Sequence, residues 1–159
     1  RRSLRAILAD DAKPYAWLSQ VLTAVMPAHV IYSRVDPRPA GYSRRWLQDI
    51  LRGELGFTGA ICTDDLSMAA ARQLEGQTLT YAEAILTALN AGCDMVLICN
   101  SPDKADQLLN GLDPSHAIDA ERSAQRIAAL VPTAAAMDWN SLQNDAVYQA
   151  ARKLASSIK

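Results

Sequence analysis

The sequence predicts an α/β fold built on parallel strands. Three short apolar segments carry the strand signal, at residues 24–32, 59–63 and 94–99. Segments with helical spacing of apolar residues lie between them, and this alternation is typical of βαβ units with right-handed crossovers. The third segment is apolar almost throughout, as expected of a parallel strand that is covered on both faces. The expected order is helix, strand, helix, strand, helix, strand and then three helices.

Proline, glycine and capping residues set the limits of the elements in the first third. Apolar positions in residues 4–22, with Pro14 suited to a first helical turn, predict one broken helix or two short ones. Pro27 lacks a backbone donor, so the first strand is expected to end or bulge there. Ser43 is placed to cap a helix that ends at Gly56.

The middle of the chain has the clearest helix boundaries. Thr80 and Glu83 have the spacing of a capping box, and Gly92 supplies the stop of that helix. A short helical segment is predicted over 66–74, directly before it.

The last third is predicted to be helical. One helix opens at Ser101 and Pro102 and ends at Gly111, and two more follow, separated by residues 132–140. Residues 1–159 are expected to form a single domain. Three parallel strands leave two open edges, so either strands are missing from this prediction or the sheet is part of a larger one.

Composition excludes several classes of function. Sixteen basic and seventeen acidic residues give a net charge of −1, so neither nucleic acid nor an anionic membrane is an expected partner. No segment approaches the ~18 apolar residues of a membrane span. Basic residues cluster in the first third, either as a solvated surface or as a loop over 34–45 that meets an anionic substrate group. Cys62 and Cys99 lie in apolar strands, which predicts buried, reduced thiols and a cytoplasmic location.

In the segment 56–68, a short predicted strand is followed directly by two adjacent carboxylates, Asp64 and Asp65. The carboxyl end of a parallel strand is where α/β scaffolds present catalytic groups. The alternative is that an aspartate here only caps the following helix, which starts at Ser67. Strand alternation sends the two side chains to opposite sides, so one of them at most addresses a given substrate atom. The residues alone leave open which one.

Other candidate residues are weaker. His29 lies near a strand end, either as a hydrogen-bonded structural residue or in contact with substrate. Met68 either lines a pocket or packs in the core, and Asn100 ends the third strand at the active edge. Asp94 opens that strand at the opposite edge, so no catalysis is assigned to it, and His116 is expected in a solvated loop. No Cys, His and Asp cluster has metal-ligand spacing, so neither a metal nor a cofactor is predicted.

Residues 51–68 resemble the nucleophile signature of glycoside hydrolase family 3. The resemblance is closest to the bacterial β-N-acetylhexosaminidases of peptidoglycan recycling. Supporting similarity is found in residues 25–32, 35–40 and 91–100, in the same order and at matching spacings.

The resemblance implies a (β/α)8 barrel, with the three strands as its sixth, seventh and eighth and with additional C-terminal helices. It also implies a retaining hydrolase that removes terminal β-linked N-acetylglucosamine from muropeptides through a covalent glycosyl-aspartate. Asp64 would be the nucleophile, Asp65 a structural residue, and His29 and Met68 substrate contacts.

Two family segments do not occur in this sequence: a sugar-holding Lys-His-Phe-Pro-Gly-His-Gly segment and an Asp-Ser-His loop that carries the acid/base histidine. The expected partner is therefore the N-terminal half of the barrel, in the same chain, a cleaved partner or another copy. Two alternatives remain, a family 3 β-glucosidase or xylosidase, and a non-catalytic fragment of such a barrel.

Overall fold

The computed structural model describes residues 2–111 and 119–158, and the prediction for His116 lies outside them. A parallel sheet has the strand order β1-β2-β5, in which each strand pairs with the next parallel strand along the chain. A small antiparallel hairpin, β3-β4, lies between β2 and β5 in sequence. The strands are β1 (Ala24–Val25), β2 (Ala60–Asp65), β3 (Gln73–Leu74), β4 (Gln77–Thr78) and β5 (Met95–Leu97).

Helices connect and follow the parallel strands. Two single turns of 3-10 helix, Ala40–Tyr42 and Ala69–Arg72, lie in the loops after β1 and β2. The longer helices are α1 (Leu4–Ala9), α2 (Lys13–Leu18), α3 (Arg45–Glu54, with π-type hydrogen bonds), α4 (Tyr81–Ala91), α5 (Pro102–Gly111), α6 (Ala120–Ala128), α7 (Trp139–Asn144) and α8 (Ala146–Ser157).

Several predicted boundaries are confirmed. The Thr80 hydroxyl accepts from the Glu83 N–H while the Glu83 carboxylate accepts from the Thr80 N–H, so α4 starts with the predicted capping box. Gly92 ends α4 at φ +111°, a conformation that a residue with a Cβ rarely adopts. The first strand ends at Val25, two residues before Pro27.

The core lies between the sheet and the helices α3 and α4. Burying a leucine, isoleucine or phenylalanine side chain contributes about 1.5–3 kcal/mol, so this cluster supplies most of the apolar stabilisation of the sheet. Its largest members are Tyr42, Leu47, Leu51, Phe57, Ile61, Leu66 and Ile85.

Asp94 anchors the amino edge of the sheet. Its Oδ2 accepts from Arg52 Nη2 at 2.8 Å and from the Ile61 N–H at 2.8 Å. Its Oδ1 accepts from Ser123 Oγ at 2.6 Å and Arg126 Nη1 at 2.9 Å. The Asp94 side chain is only 1% exposed, so it is a buried anion with four donors. It joins α3, β2 and α6 to the start of β5.

Three predictions about secondary structure are wrong. Residues 66–74 form one 3-10 turn and then β3, because β3 pairs with β4 across Glu75 and Gly76, which both have positive φ. The two helices expected at the C-terminus are three, because Asp145 leaves the helical conformation and its side chain caps α8. The third strand is limited to Met95–Leu97 and is half-buried, because β5 lies at one side of the described sheet and pairs there only with β2.

The prediction for the cysteines is also wrong in part. All three thiols are free, but Cys99 is exposed and Cys62 is half-buried. Cys99 is exposed because β5 ends at Leu97, so it lies beyond the strand. The buried thiol is that of Cys93, and burial raises its pKa to about 12. Among the helices of the described ranges, none combines the length and apolar character that a transmembrane helix requires.

Replacing Asp94 tests the anchor at the amino edge. We expect Asp94→Ala to lower the free energy of unfolding by about 3–5 kcal/mol, because it leaves the largely buried Arg52 without its counter-ion. Denaturant unfolding measures this change, and Asp49→Ala, at an exposed position of α3, is the control. Equal stabilities of the two variants would contradict the assignment.

Gly59 lies where the chain entering β2 passes close to Thr23. A Cβ at this position would lie 2.5 Å from the Thr23 carbonyl oxygen and 2.8 Å from the Phe57 ring. The Thr23 carbonyl is held by the Ala60 N–H at 2.9 Å, so Gly59→Ala should destabilise the protein by about 1–3 kcal/mol. Gly111→Ala, whose Cβ would enter open space, should cause no loss in the same unfolding experiment. An unchanged free energy of unfolding for Gly59→Ala would show that the backbone at residue 59 can move away from Thr23 without cost.

Candidate active site

The carboxyl ends of the three parallel strands meet at one edge of the sheet. His29 follows β1, Asp64 and Asp65 end β2, and Cys99 follows β5. Polar groups from three separate segments therefore come together at the edge where α/β folds place their chemistry. Asp94 lies at the opposite edge, as predicted, with all of its contacts structural.

A β-bulge lies in β2 at this edge. Cys62 pairs with Met95 and Asp65 pairs with Leu97, so three steps along β2 match two along β5. The Thr63 hydroxyl takes the place of a backbone acceptor and receives the Leu97 N–H at 2.9 Å. Bulges redirect side chains and are common next to active sites. Asp64 lies within the bulge, so simple strand alternation no longer fixes its direction.

Asp64 keeps most of its hydrogen-bonding capacity. It is half-buried, and its Oδ1 accepts the N–H of Asp65 at 2.8 Å. Within residues 2–111 and 119–158 no further hydrogen bond reaches this carboxylate. A carboxylate has about four acceptor positions, so most of this capacity remains for another group.

The Asp65 carboxylate is occupied by structural contacts. Oδ1 accepts from the N–H of Ser67 at 2.8 Å and of Cys99 at 3.0 Å, and Oδ2 accepts from the Ser67 hydroxyl at 2.6 Å. The Ser67 hydroxyl and then the Cys99 N–H hold the pKa of this carboxyl below its ordinary value. Asp65 has the predicted structural role, but it caps a turn at Ser67 and not a helix. The 3-10 helix that follows begins at Ala69, with Met68 as its N-cap and no side-chain cap.

His29 binds the backbone of the same residue. Its Nε2 lies 3.2 Å from the Asp65 carbonyl oxygen, which also accepts the Met68 N–H at 3.2 Å. A carbonyl only accepts, so the His29 proton is on Nε2, and Nδ1 is buried with no partner among the described residues. The ring packs against Tyr42 with centroids 6.0 Å apart. This geometry agrees with the structural alternative for His29, and its contact with substrate stays a prediction.

Met68 and Asn100 lie on the outer side of this edge. The Met68 side chain is 46% exposed, so it is not part of the core, and its role in binding a sugar stays a prediction. Asn100 is exposed and has a positive φ of 58°, which places it in a turn after β5.

Comparison with known proteins identifies the family. The model of the glycosyl hydrolase family 3 N-terminal domain matches residues 2–130. The chain belongs to glycosyl hydrolase family 3. This confirms the resemblance that residues 51–68 carried.

Similar family 3 proteins are longer than this chain. A β-hexosaminidase from Bordetella parapertussis is 54% identical over 99% of this chain and 43% of its own length. The structure of NagZ from Neisseria gonorrhoeae in complex with N-trifluoroacetyl-D-glucosamine has a TM-score of 0.75 and 36% identity, covering 96% of this chain and 42% of NagZ. The β-N-acetylglucosaminidase from Thermotoga maritima has a TM-score of 0.66 and 26% identity, covering 84% and 31%. The chain thus spans less than half of these relatives.

Some residues of the site were not predicted. The role of Thr63 could not be predicted, because its hydroxyl accepts the Leu97 N–H only at a bulge that no local sequence rule predicts. The contact of Asp65 with Cys99 depends on the pairing of β2 with β5, which lies outside local sequence. The contact of Asp65 with Ser67 could have been predicted, since an aspartate two residues before a serine is typical of a side-chain-capped turn.

The lowered pKa of Asp65 predicts a contribution to acid sensitivity. A carboxyl with a depressed folded-state pKa contributes stability above its unfolded value of about 3.9 and loses it as pH falls through the folded value. The advantage of wild type over Asp65→Asn should therefore shrink below about pH 4. Unfolding free energies of both proteins against pH measure it, and a pH-independent difference would contradict the assigned contacts.

Proposed function

We propose that the chain is part of a retaining glycoside hydrolase in which Asp64 is the nucleophile. The observation that supports the proposal is the difference in hydrogen bonding between the two adjacent carboxylates. Among the described residues, three donors reach the Asp65 carboxylate, whereas one reaches that of Asp64, from the backbone of its neighbour. A nucleophile needs an oxygen that is free to approach a carbon atom, and Asp64 meets this need.

The reaction has two steps. A carboxylate oxygen of Asp64 forms a bond to the anomeric carbon while the glycosidic C–O bond breaks, and an acid donates a proton to the leaving oxygen. Water then attacks the glycosyl-aspartate, the same group takes its proton, and the sugar leaves with its configuration retained. The family's acid/base histidine is on a loop that this sequence lacks. His29 does not replace it, because its Nε2 is bound to the Asp65 carbonyl and its Nδ1 is buried.

The proposed substrate is a terminal β-linked N-acetylglucosamine of peptidoglycan-derived muropeptides. Support comes from the β-hexosaminidase relatives and from the N-acylated glucosamine bound to NagZ of Neisseria gonorrhoeae. We assign the reaction to the cytoplasm, in keeping with three free thiols. A family 3 β-glucosidase or xylosidase is the alternative, and paired assays with aryl N-acetylglucosaminide and aryl glucoside separate the two.

We further propose that β1, β2 and β5 are the sixth to eighth strands of a (β/α)8 barrel. The β1 side of the sheet supports this proposal because it exposes large apolar residues. Trp17, Val21, Met26 and Ile31 are 74%, 70%, 51% and 53% exposed. An apolar edge of this kind requires a covering segment. The N-terminal half of the barrel is the proposed cover, whether in the same chain, a cleaved partner or another copy.

Substitution of Asp64 tests the nucleophile. Asp64→Ala should lower kcat on an aryl N-acetylglucosaminide by at least about a thousand-fold, because no glycosyl-enzyme can form. Asp49→Ala, on the exposed face of α3, is the matched control and should keep the wild-type rate. With the N-terminal half of the barrel present, full activity of Asp64→Ala would contradict the proposal, and inactivity of wild type on both aryl substrates would favour the non-catalytic alternative.

The isolated 159 residues test the need for a covering segment. We expect them to self-associate and to bind a hydrophobic dye, because the apolar β1 side is open to solvent. Sedimentation and dye fluorescence measure both properties. A monomer with a sharp, cooperative thermal transition would contradict this expectation.

A further inference from the structure

Groups that follow three different strands converge on one residue, Asp65. From the β1 side, His29 donates to its carbonyl oxygen at 3.2 Å. From the β5 side, the Cys99 N–H donates to its carboxylate at 3.0 Å. Within its own loop, Ser67 binds the carboxylate and Met68 binds the carbonyl. Both the main chain and the side chain of Asp65 are therefore fixed to neighbouring segments.

This convergence matters because Asp64 lies where the register of the β2–β5 pair shifts. The bulge interrupts the regular ladder between Cys62 and Asp65, and a bulged residue has no ladder partner of its own. Asp64 is fixed instead through the next residue, whose N–H donates to its carboxylate at 2.8 Å. The orientation of that N–H depends on where the rest of Asp65 is held.

We propose that Asp65 is a positioning residue that holds Asp64 in line for attack, with its carboxylate tied to β5 and its carbonyl tied to His29. The inference rests on the proposed function of Asp64. A displacement of about 1 Å at a reacting group can reduce a rate about a hundred-fold. Loss of the contacts of Asp65 should therefore slow the first chemical step while leaving sugar binding largely intact.

Two variants of Asp65 separate its geometry from its charge. Asp65→Ala removes every side-chain contact. Asp65→Asn keeps an oxygen that can accept from the Ser67 and Cys99 N–H groups, and its amide can donate to the Ser67 hydroxyl. We expect Asp65→Ala to lower kcat by about ten- to a hundred-fold with KM changed less than about three-fold. We expect Asp65→Asn to recover most of the loss.

Asp138 offers a matched control. It caps α7 through local contacts, accepting on Oδ1 from the N–H groups of Asn140 and Ser141 and on Oδ2 from the Ser141 hydroxyl. Asp138→Ala therefore also removes three hydrogen bonds to an aspartate, but away from the carboxyl edge of the sheet. It should lower the thermal unfolding midpoint in the way that Asp65→Ala does, with kcat unchanged.

The decisive measurement is made with the N-terminal half of the barrel present. It is the rate constant for leaving-group release from a fluorinated, activated N-acetylglucosamine analogue that traps the glycosyl-enzyme. A rate constant does not depend on the fraction of folded molecules. We expect it to fall with kcat in Asp65→Ala and to recover in Asp65→Asn. Trapping of Asp65→Ala at the wild-type rate would overturn the inference, as would equal loss in both variants, which would give Asp65 a chemical role.

If Asp65→Ala does not fold, a second pair of variants, at His29, tests the same proposal. His29→Ala should slow trapping with KM unchanged, and His29→Gln, whose amide can donate to the same carbonyl, should restore it. A rise in KM with an unchanged trapping rate would indicate that His29 contacts substrate. It would overturn the proposal that His29 positions Asp65. If wild type with the N-terminal half of the barrel present neither hydrolyses nor traps the analogue, the proposed function itself fails. Trapping at the wild-type rate in every variant is a different result, which would overturn only the positioning role of Asp65.

Discussion

Near each end of the β2–β5 pair, an aspartate side chain binds a backbone N–H across the pair. At the amino edge, Asp94 accepts the N–H of Ile61 at 2.8 Å. At the carboxyl edge, Asp65 accepts the N–H of Cys99 at 3.0 Å. The bulge with Asp64 lies between these two contacts, so the position of the proposed nucleophile depends on both.

The two aspartates act in different environments. Asp94 is buried, binds two arginines and fixes helices to the sheet, so its contribution is to stability. Asp65 is partly exposed, with neutral donors around it, so its contacts cost less desolvation and contribute less to stability. This difference agrees with the general separation in α/β folds between a stabilising amino edge and a functional carboxyl edge. It also explains how an irregular strand end is tolerated, because the opposite end is tightly held.

The sequence was sufficient wherever a local chemical rule decided the structure. The limits of α4 followed from Thr80, Glu83 and Gly92, and the end of β1 followed from Pro27. The position of Asp64 and Asp65 at a strand end followed from the apolar run before them, and family 3 membership followed from the resemblance of residues 51–68. In each case the determining groups lie within a few residues of each other.

Features that depend on distant contacts were not predictable. The bulge arises from a shift in the register between β2 and β5, and no residue near Thr63 predicts this shift. The exposure of Cys99 depends on where β5 ends. Residues 69–74 favour a helix by their local composition, but β3 forms because it pairs with β4. The choice of Asp64 over Asp65 comes from the family resemblance, because strand alternation separates the two side chains without indicating which one faces the substrate.

The identity of the trapped residue tests the central claim most directly. After reaction with the fluorinated N-acetylglucosamine analogue, proteolysis and mass spectrometry locate the covalent sugar on the protein. The account predicts a single modified carboxylate, Asp64, in the peptide that contains the end of β2. A sugar on Asp65 or on any other carboxylate would contradict it.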